Sequence, residues 1–244
     1  MALVGERKAL AAAVLAFYML YFLLVAFAAP PEMQLGPLFA AMAGLYGLAF
    51  WALVAGYFWA RWFTIGLGIY GLILGLMGLW AEGLHPVFLF VAGTHGGMSL
   101  ILWSNSVAAQ FDGRSDWRGR FHLDDSGTQR LGKAVIRIGI SLPMLIGYAL
   151  TPRQGMGETL LVIGALGLVG LGSWGLLRMR TWGLLALAAA AGTVLTSLVA
   201  TAQVAVLGDG SAVDLTVSGS LGGIFLALAV VPFAIPMFRY LRGR

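Results

Sequence analysis

The chain has 244 residues, of which 60% are apolar and only 10% charged, with a mean hydropathy of +0.90 and a formal net charge of +5. An average soluble domain is about 45–50% apolar and about 25% charged, so this chain carries too little charge to coat a water-facing globule and too much apolar surface for one core. A soluble enzyme, a disordered chain and a secreted disulfide scaffold are excluded, the last because cysteine is absent, and a polytopic membrane protein remains.

A helix crosses the hydrocarbon layer with about 20 predominantly apolar residues. Eight stretches meet this requirement, at roughly 9–30, 36–59, 63–81, 86–109, 132–151, 157–177, 181–206 and 217–238. Long apolar runs without two-residue alternation predict helices rather than a barrel. The expected fold is all-α: a bundle of about eight transmembrane helices forming a single integral membrane domain over residues 1–244.

In the first span, Arg7 and Lys8 precede an apolar run that ends Ala26-Phe27-Ala28, which has the look of a signal-peptide cleavage site. The apolar stretch exceeds the usual 7–15 residues of such a signal, so a retained helix is expected. The third span is rich in glycine, at Gly66, Gly68, Gly71, Gly75 and Gly78, and the sixth repeats the pattern at Gly164, Gly167, Gly170 and Gly172. Small residues let helix backbones approach where lipid supplies no hydrophobic drive. Both stripes predict helix packing, inside this bundle or against a partner subunit or a second copy.

The fourth span is the most polar. It holds Thr94, His95, Ser99, Ser104, Asn105 and Ser106, with Gln110 at its end. Continued as one helix, it brings His95, Ser99, Ser106 and Gln110 within about 60° of one another. His95 is the only histidine in any span, near mid-bilayer. It reads as a structural hydrogen-bonding residue, a cavity residue or, less simply, a ligand for haem or a pigment. No cofactor is otherwise predicted, and no metal set is evident.

A loop follows, Gln110 to Leu131, with Asp112, Asp116, Arg118, Arg120, His122, Asp124 and Asp125 as candidates for binding a cation or a phosphorylated headgroup. The fifth span is the weakest, interrupted by Arg137 and Pro143. The seventh carries a stripe of Thr193, Thr196, Ser197, Thr201 and Gln203 over about 160° of its surface. Facing the fourth span, that stripe would complete a polar cavity. Pro232 and Pro236 mark the eighth span, and Trp59, Trp62 and Trp182 read as anchors at the inner interface with Trp80 at the outer one.

The charges give an orientation. With the N-terminus inside, fourteen of the fifteen basic residues fall on the cytoplasmic side, leaving only Arg153 outside. The positive-inside rule therefore favours eight spans with both termini cytoplasmic, and the preference for Arg over Lys with heavy Ala, Gly and Leu use suggests a bacterial inner membrane. Used in this way, the excess charge predicts contact with membrane lipids and no nucleic-acid partner. Apart from Lys133 and Arg137 towards the start of the fifth span and Glu158 at the edge of the sixth, no Asp, Glu, Lys or Arg lies within the assigned spans. Ion-coupled pumps place such groups at membrane depth, so this class is disfavoured. The leading expectation is a non-catalytic structural or accessory subunit of a membrane complex. The alternatives are a permease or channel for a small neutral or weakly polar solute between spans four and seven, and a lipid-modifying enzyme using the 110–131 loop.

Overall fold

A computed structural model of the chain describes residues 2–30, 35–112, 125–150, 156–178, 180–205 and 220–233. Nine helices and no strands are present among them: α1 (Ala2–Ala28), α2 (Gly36–Ala55), α3 (Ala60–Glu82), α4 (Pro86–Trp103), α5 (Asn105–Asp112), α6 (Asp125–Leu150), α7 (Met156–Leu177), α8 (Thr181–Ala205) and α9 (Ser220–Phe233). Six of these, α1 to α4, α6 and α7, are long and apolar enough to cross a membrane. That is the make-up of a helical membrane bundle. The stretches expected to be the seventh and eighth spans contain α8, apolar over its described side chains Trp182–Thr196, and α9.

Three expected boundaries are corrected. The fourth span is not one helix over 86–109, because the backbone turns extended at Ser104 (φ −62°, ψ 142°). Ser104 joins α4 to α5, its carbonyl accepting from Val107 and Ala108 while its hydroxyl donates back to the Ile101 carbonyl at 2.8 Å. The helix that carries the fifth span starts at Asp125, so the end of the expected 110–131 loop is helical, and Gln110 and Asp112 at its beginning lie in α5. Residues 113–124, with Asp116, Arg118, Arg120, His122 and Asp124, lie outside the described residues. The third helix does not start at 63. It starts at Ala60, which places Arg61 inside its first turn.

The chain divides into two compact groups of helices, residues 1–29 with 39–140, and residues 30–38 with 141–244. In the first group, α2 stops at Gly56, whose φ of 75° suits a residue without a Cβ. The turn is closed by Gly56 N–H to Leu53 O (3.2 Å) and Tyr57 N–H to Ala52 O (3.1 Å). Helix α3 ends at Gly83 (φ 78°), and α4 opens with Pro86 in its first turn, where a missing N–H costs nothing.

Helices α3 and α4 form the tightest pair. A Cβ at Gly68 would strike Ser99 and the His95 carbonyl, one at Gly71 the His95 ring, one at Gly75 the Ala92 backbone and one at Gly78 the Phe88 ring. These glycines recur every three or four residues, which puts them on one face of α3. On a second face, Gly66 meets Gly139 of α6, with their Cα atoms and carbonyls in direct apposition. The third-span stripe is thus used up inside this group of helices.

In the second group, α7 and α8 form an antiparallel hairpin. Gly172, Gly175 and Gly183 lie at their crossing, where added methyls would meet Leu187, Trp182 and backbone. The buried side of α7 is Val162, Ala165, Val169 and Leu176, facing Leu187, Ala190, Ala191 and Val194 of α8. Helix α9 contributes Leu226 and Ala229 to the core, with Gly222 against Met144 and Leu145.

The seam makes a contrast measurable. Gly75→Ala places a methyl 2.6 Å from the Ala92 nitrogen and is expected to cost about 1–3 kcal/mol. Gly97→Ala enters open space on α4 and is expected to cost nothing, since alanine is the better helix former. Thermal or denaturant unfolding of the purified variants in one detergent checks both.

Candidate functional site

His95 sits on α4 at the centre of the first group and is 2% exposed. Its Nδ1 lies 2.9 Å from the Val91 carbonyl, one turn back, and its Nε2 lies 2.7 Å from the Tyr46 hydroxyl on α2. A carbonyl only accepts, so in the neutral ring Nδ1 carries the proton and Nε2 accepts from Tyr46. The Tyr18 ring of α1 lies over the imidazole, with centroids 4.2 Å apart. Gly71 of α3 closes the remaining side. Four helices therefore meet at this one ring. The lone pair that would ligate a haem iron or metal is the one that accepts the Tyr46 hydroxyl.

The neighbouring polar groups are partnered in the same way. Thr94 donates to the Phe90 carbonyl (2.7 Å), which leaves its oxygen to accept from the Tyr18 hydroxyl, also at 2.7 Å. Ser99, likewise buried, donates to the Ile65 carbonyl across the α3–α4 seam at 3.3 Å. Hydroxyls bonding neighbouring helices or their own preceding turn are the ordinary use of such residues in membrane helices.

The break at Ser104 separates the remaining fourth-span candidates from His95. Asn105, Ser106 and Gln110 stand exposed on α5, whose Val107 and Phe111 are buried. Arg7 of α1 donates to the Ser106 hydroxyl (2.9 Å) and reaches Ser104 at 3.4 Å. Lys8 donates to the Val54 carbonyl (3.2 Å) and lies over the Phe111 ring. On α8, Thr193 and Thr196 donate to carbonyls of their own helix, those of Ala189 and Gly192. The side chains of Ser197, Thr201, Gln203 and Asp112 lie outside the described residues. Helix α4 belongs to the first group of helices and α8 to the second. No cluster of three or more His, Asp or Glu side chains suited to a metal occurs among the described residues.

One feature escaped the sequence reading. Arg61 is 8% exposed, the only buried charged side chain among the described residues. It donates to the Leu102 carbonyl at 3.3 Å, which ties the start of α3 to the end of α4. A cavity of about 480 Å³ opens beside it, between α3, the α4–α5 break and the start of α6. Its polar lining includes Asn105, Asp125, Thr128, Gln129 and Lys133. Trp62 belongs to this wall and is 5% exposed beneath Gly132, so it is not a lipid-facing anchor. Trp80, by contrast, is 91% exposed. The missed signal was the turn: Gly56 ends α2 early and lets α3 start before Arg61.

Comparison with known proteins finds no matching family model, no matching curated protein and no matching solved structure.

The His95 contact is open to a double-mutant cycle. Tyr46→Phe leaves a buried ring nitrogen without its donor and is expected to lower stability by about 1–2 kcal/mol. In a His95→Leu background the same change is expected to cost less, with a coupling of about 0.6–1.7 kcal/mol. Unfolding in a single detergent reads both numbers.

Proposed function

We propose that this protein is a non-catalytic structural or accessory subunit of a complex in a bacterial inner membrane, with both termini in the cytoplasm. The observation that carries this reading is a face of α7. Leu160, Ile163, Gly164, Gly167, Gly170, Leu171 and Trp174 are all exposed and fall within about 120° of the helix surface. Added methyls at the three glycines would meet nothing within 4 Å.

The contrast with α3 gives the face its meaning. There every glycine of the stripe is filled by a neighbour, whereas here Gly164, Gly167 and Gly170 lie open between bulky residues and only Gly172 is filled, by α8. Glycine gains nothing from lipid contact. A groove of small residues flanked by Leu, Ile and Trp admits the close approach of another membrane helix. The engaged state of His95, Thr94 and Ser99 also supports a packing role for the polar interior rather than a reactive one. The formation of discrete helix ends by Arg7, Lys8 and Arg61 agrees with a cytoplasmic position for that end.

The absence of cysteine makes the test clean, since single cysteines can be placed without background. Leu171→Cys, carrying a short cross-linker in native membranes, is expected to give a discrete protein adduct. Leu100→Cys, on the equally exposed surface of α4, is expected to give none. Adding Gly167→Leu overfills the groove at about 1–3 kcal/mol and is expected to reduce the adduct about 5- to 150-fold. Equal, diffuse labelling from both positions, unaffected by Gly167→Leu, would refute the subunit reading.

A further inference from the structure

The cavity beside Arg61 has the composition of a binding site rather than of a packing defect. Voids between apolar helices are lined by apolar atoms. This one has a buried guanidinium at its base, a buried threonine hydroxyl in Thr128, and Lys133 exposed among its lining residues. Its size, about 480 Å³, falls in the range of about 300–1,000 Å³ found for ligand pockets. The charged lining residues are Arg61, Lys133 and Asp125, a net formal charge of +1. A monoanion neutralises that set, whereas a cation would add to it.

We propose that this cavity binds the phosphodiester of an anionic lipid headgroup. The guanidinium and ammonium supply charge-assisted donors to phosphate oxygens, and Asn105 and Gln129 supply neutral donors. Placement selects a lipid over a soluble phosphate. The cavity lies where α3 begins and α4 ends, so it is level with the ends of apolar helices. Trp62 and Trp103 flank it, the second largely exposed, as aromatic residues are at a bilayer interface. Ile65, Ala108 and Ile136 form an apolar wall on which glycerol carbons and the first chain methylenes can lie. Basic pockets between membrane helices recognise anionic headgroups by this combination of charge and apolar support.

Asn105, Gln129 and Lys133 are exposed, so their substitution leaves the core intact. Arg61, tied to the Leu102 carbonyl, is also structural. The test therefore rests on Lys133→Gln, with Arg61→Gln as a second variant. The full-length protein in neutral detergent is titrated with phosphatidylglycerol or phosphatidylcholine, and bound lipid is read by native mass spectrometry. One saturable phosphatidylglycerol site is expected, stronger than for phosphatidylcholine. Lys133→Gln is expected to weaken it about fivefold, and Arg61→Gln, where it folds, by more. Millimolar glycerol phosphate is expected not to displace the lipid. Equal retention of both lipids with no change in Lys133→Gln overturns the proposal. Displacement by glycerol phosphate at the lipid's own concentration overturns it too, because it makes the ligand a soluble phosphate ester.

Discussion

Helix association in a bilayer has no hydrophobic drive, because leaving lipid for another helix exchanges one apolar surface for another. What remains is close packing, and the seam between α3 and α4 supplies it. Gly68, Gly71, Gly75 and Gly78 let the backbones approach until Ser99, the His95 ring, Ala92 and Phe88 occupy the space that side chains would have taken. The rest of the first group of helices depends on that approach. It carries His95 into reach of Tyr46 and Tyr18, Ser99 into reach of the Ile65 carbonyl, and Arg61 into reach of the Leu102 carbonyl. A single larger residue in the seam would separate the pairs that cross it, Ser99 from the Ile65 carbonyl and Arg61 from the Leu102 carbonyl.

The polar residues of the interior then follow a simple rule. In hydrocarbon an unsatisfied donor or acceptor is costly, so each group is used where it stands. His95 takes one partner from its own helix and one from α2, and Thr94 takes one from its own helix and one from α1. This arrangement locks four helices around one ring. Both imidazole nitrogens are thereby engaged.

The two ends of the seam differ in chemistry. At one end, Arg7, Lys8 and Arg61 hold the break between α4 and α5, and the polar cavity opens beside them. At the other, Gly83 and His85 form a short turn, His85 Nδ1 accepting from the Val87 N–H at 3.4 Å. Basic side chains at one end of a membrane bundle both orient it and provide the donors that an anionic headgroup requires. The orientation and the lipid site that we propose draw on the same few charges. The open glycine face of α7 is a separate surface, the one we propose takes another helix.

The sequence by itself determined the class of molecule. Apolar runs of membrane-spanning length allow only helices, and their approximate positions follow from hydropathy, because every backbone group must be satisfied within its own segment. It also showed that glycine would be the packing residue, and it singled out His95. Three decisions belonged to the tertiary structure. Which glycines are filled depends on what lies opposite them, so the stripes on α3 and α7 look alike as sequence and differ once neighbours are placed. Whether a polar residue is a joint or a site depends on its partners, and Tyr46, forty-nine residues away from His95, left no local trace of that pairing. The break at Ser104 and the early start of α3 moved Ser106 away from the His95 face and moved Arg61 into the core. Hydropathy averages over a window of residues. A change of direction at one serine or one glycine falls below that average, and here it decides where the charge is buried.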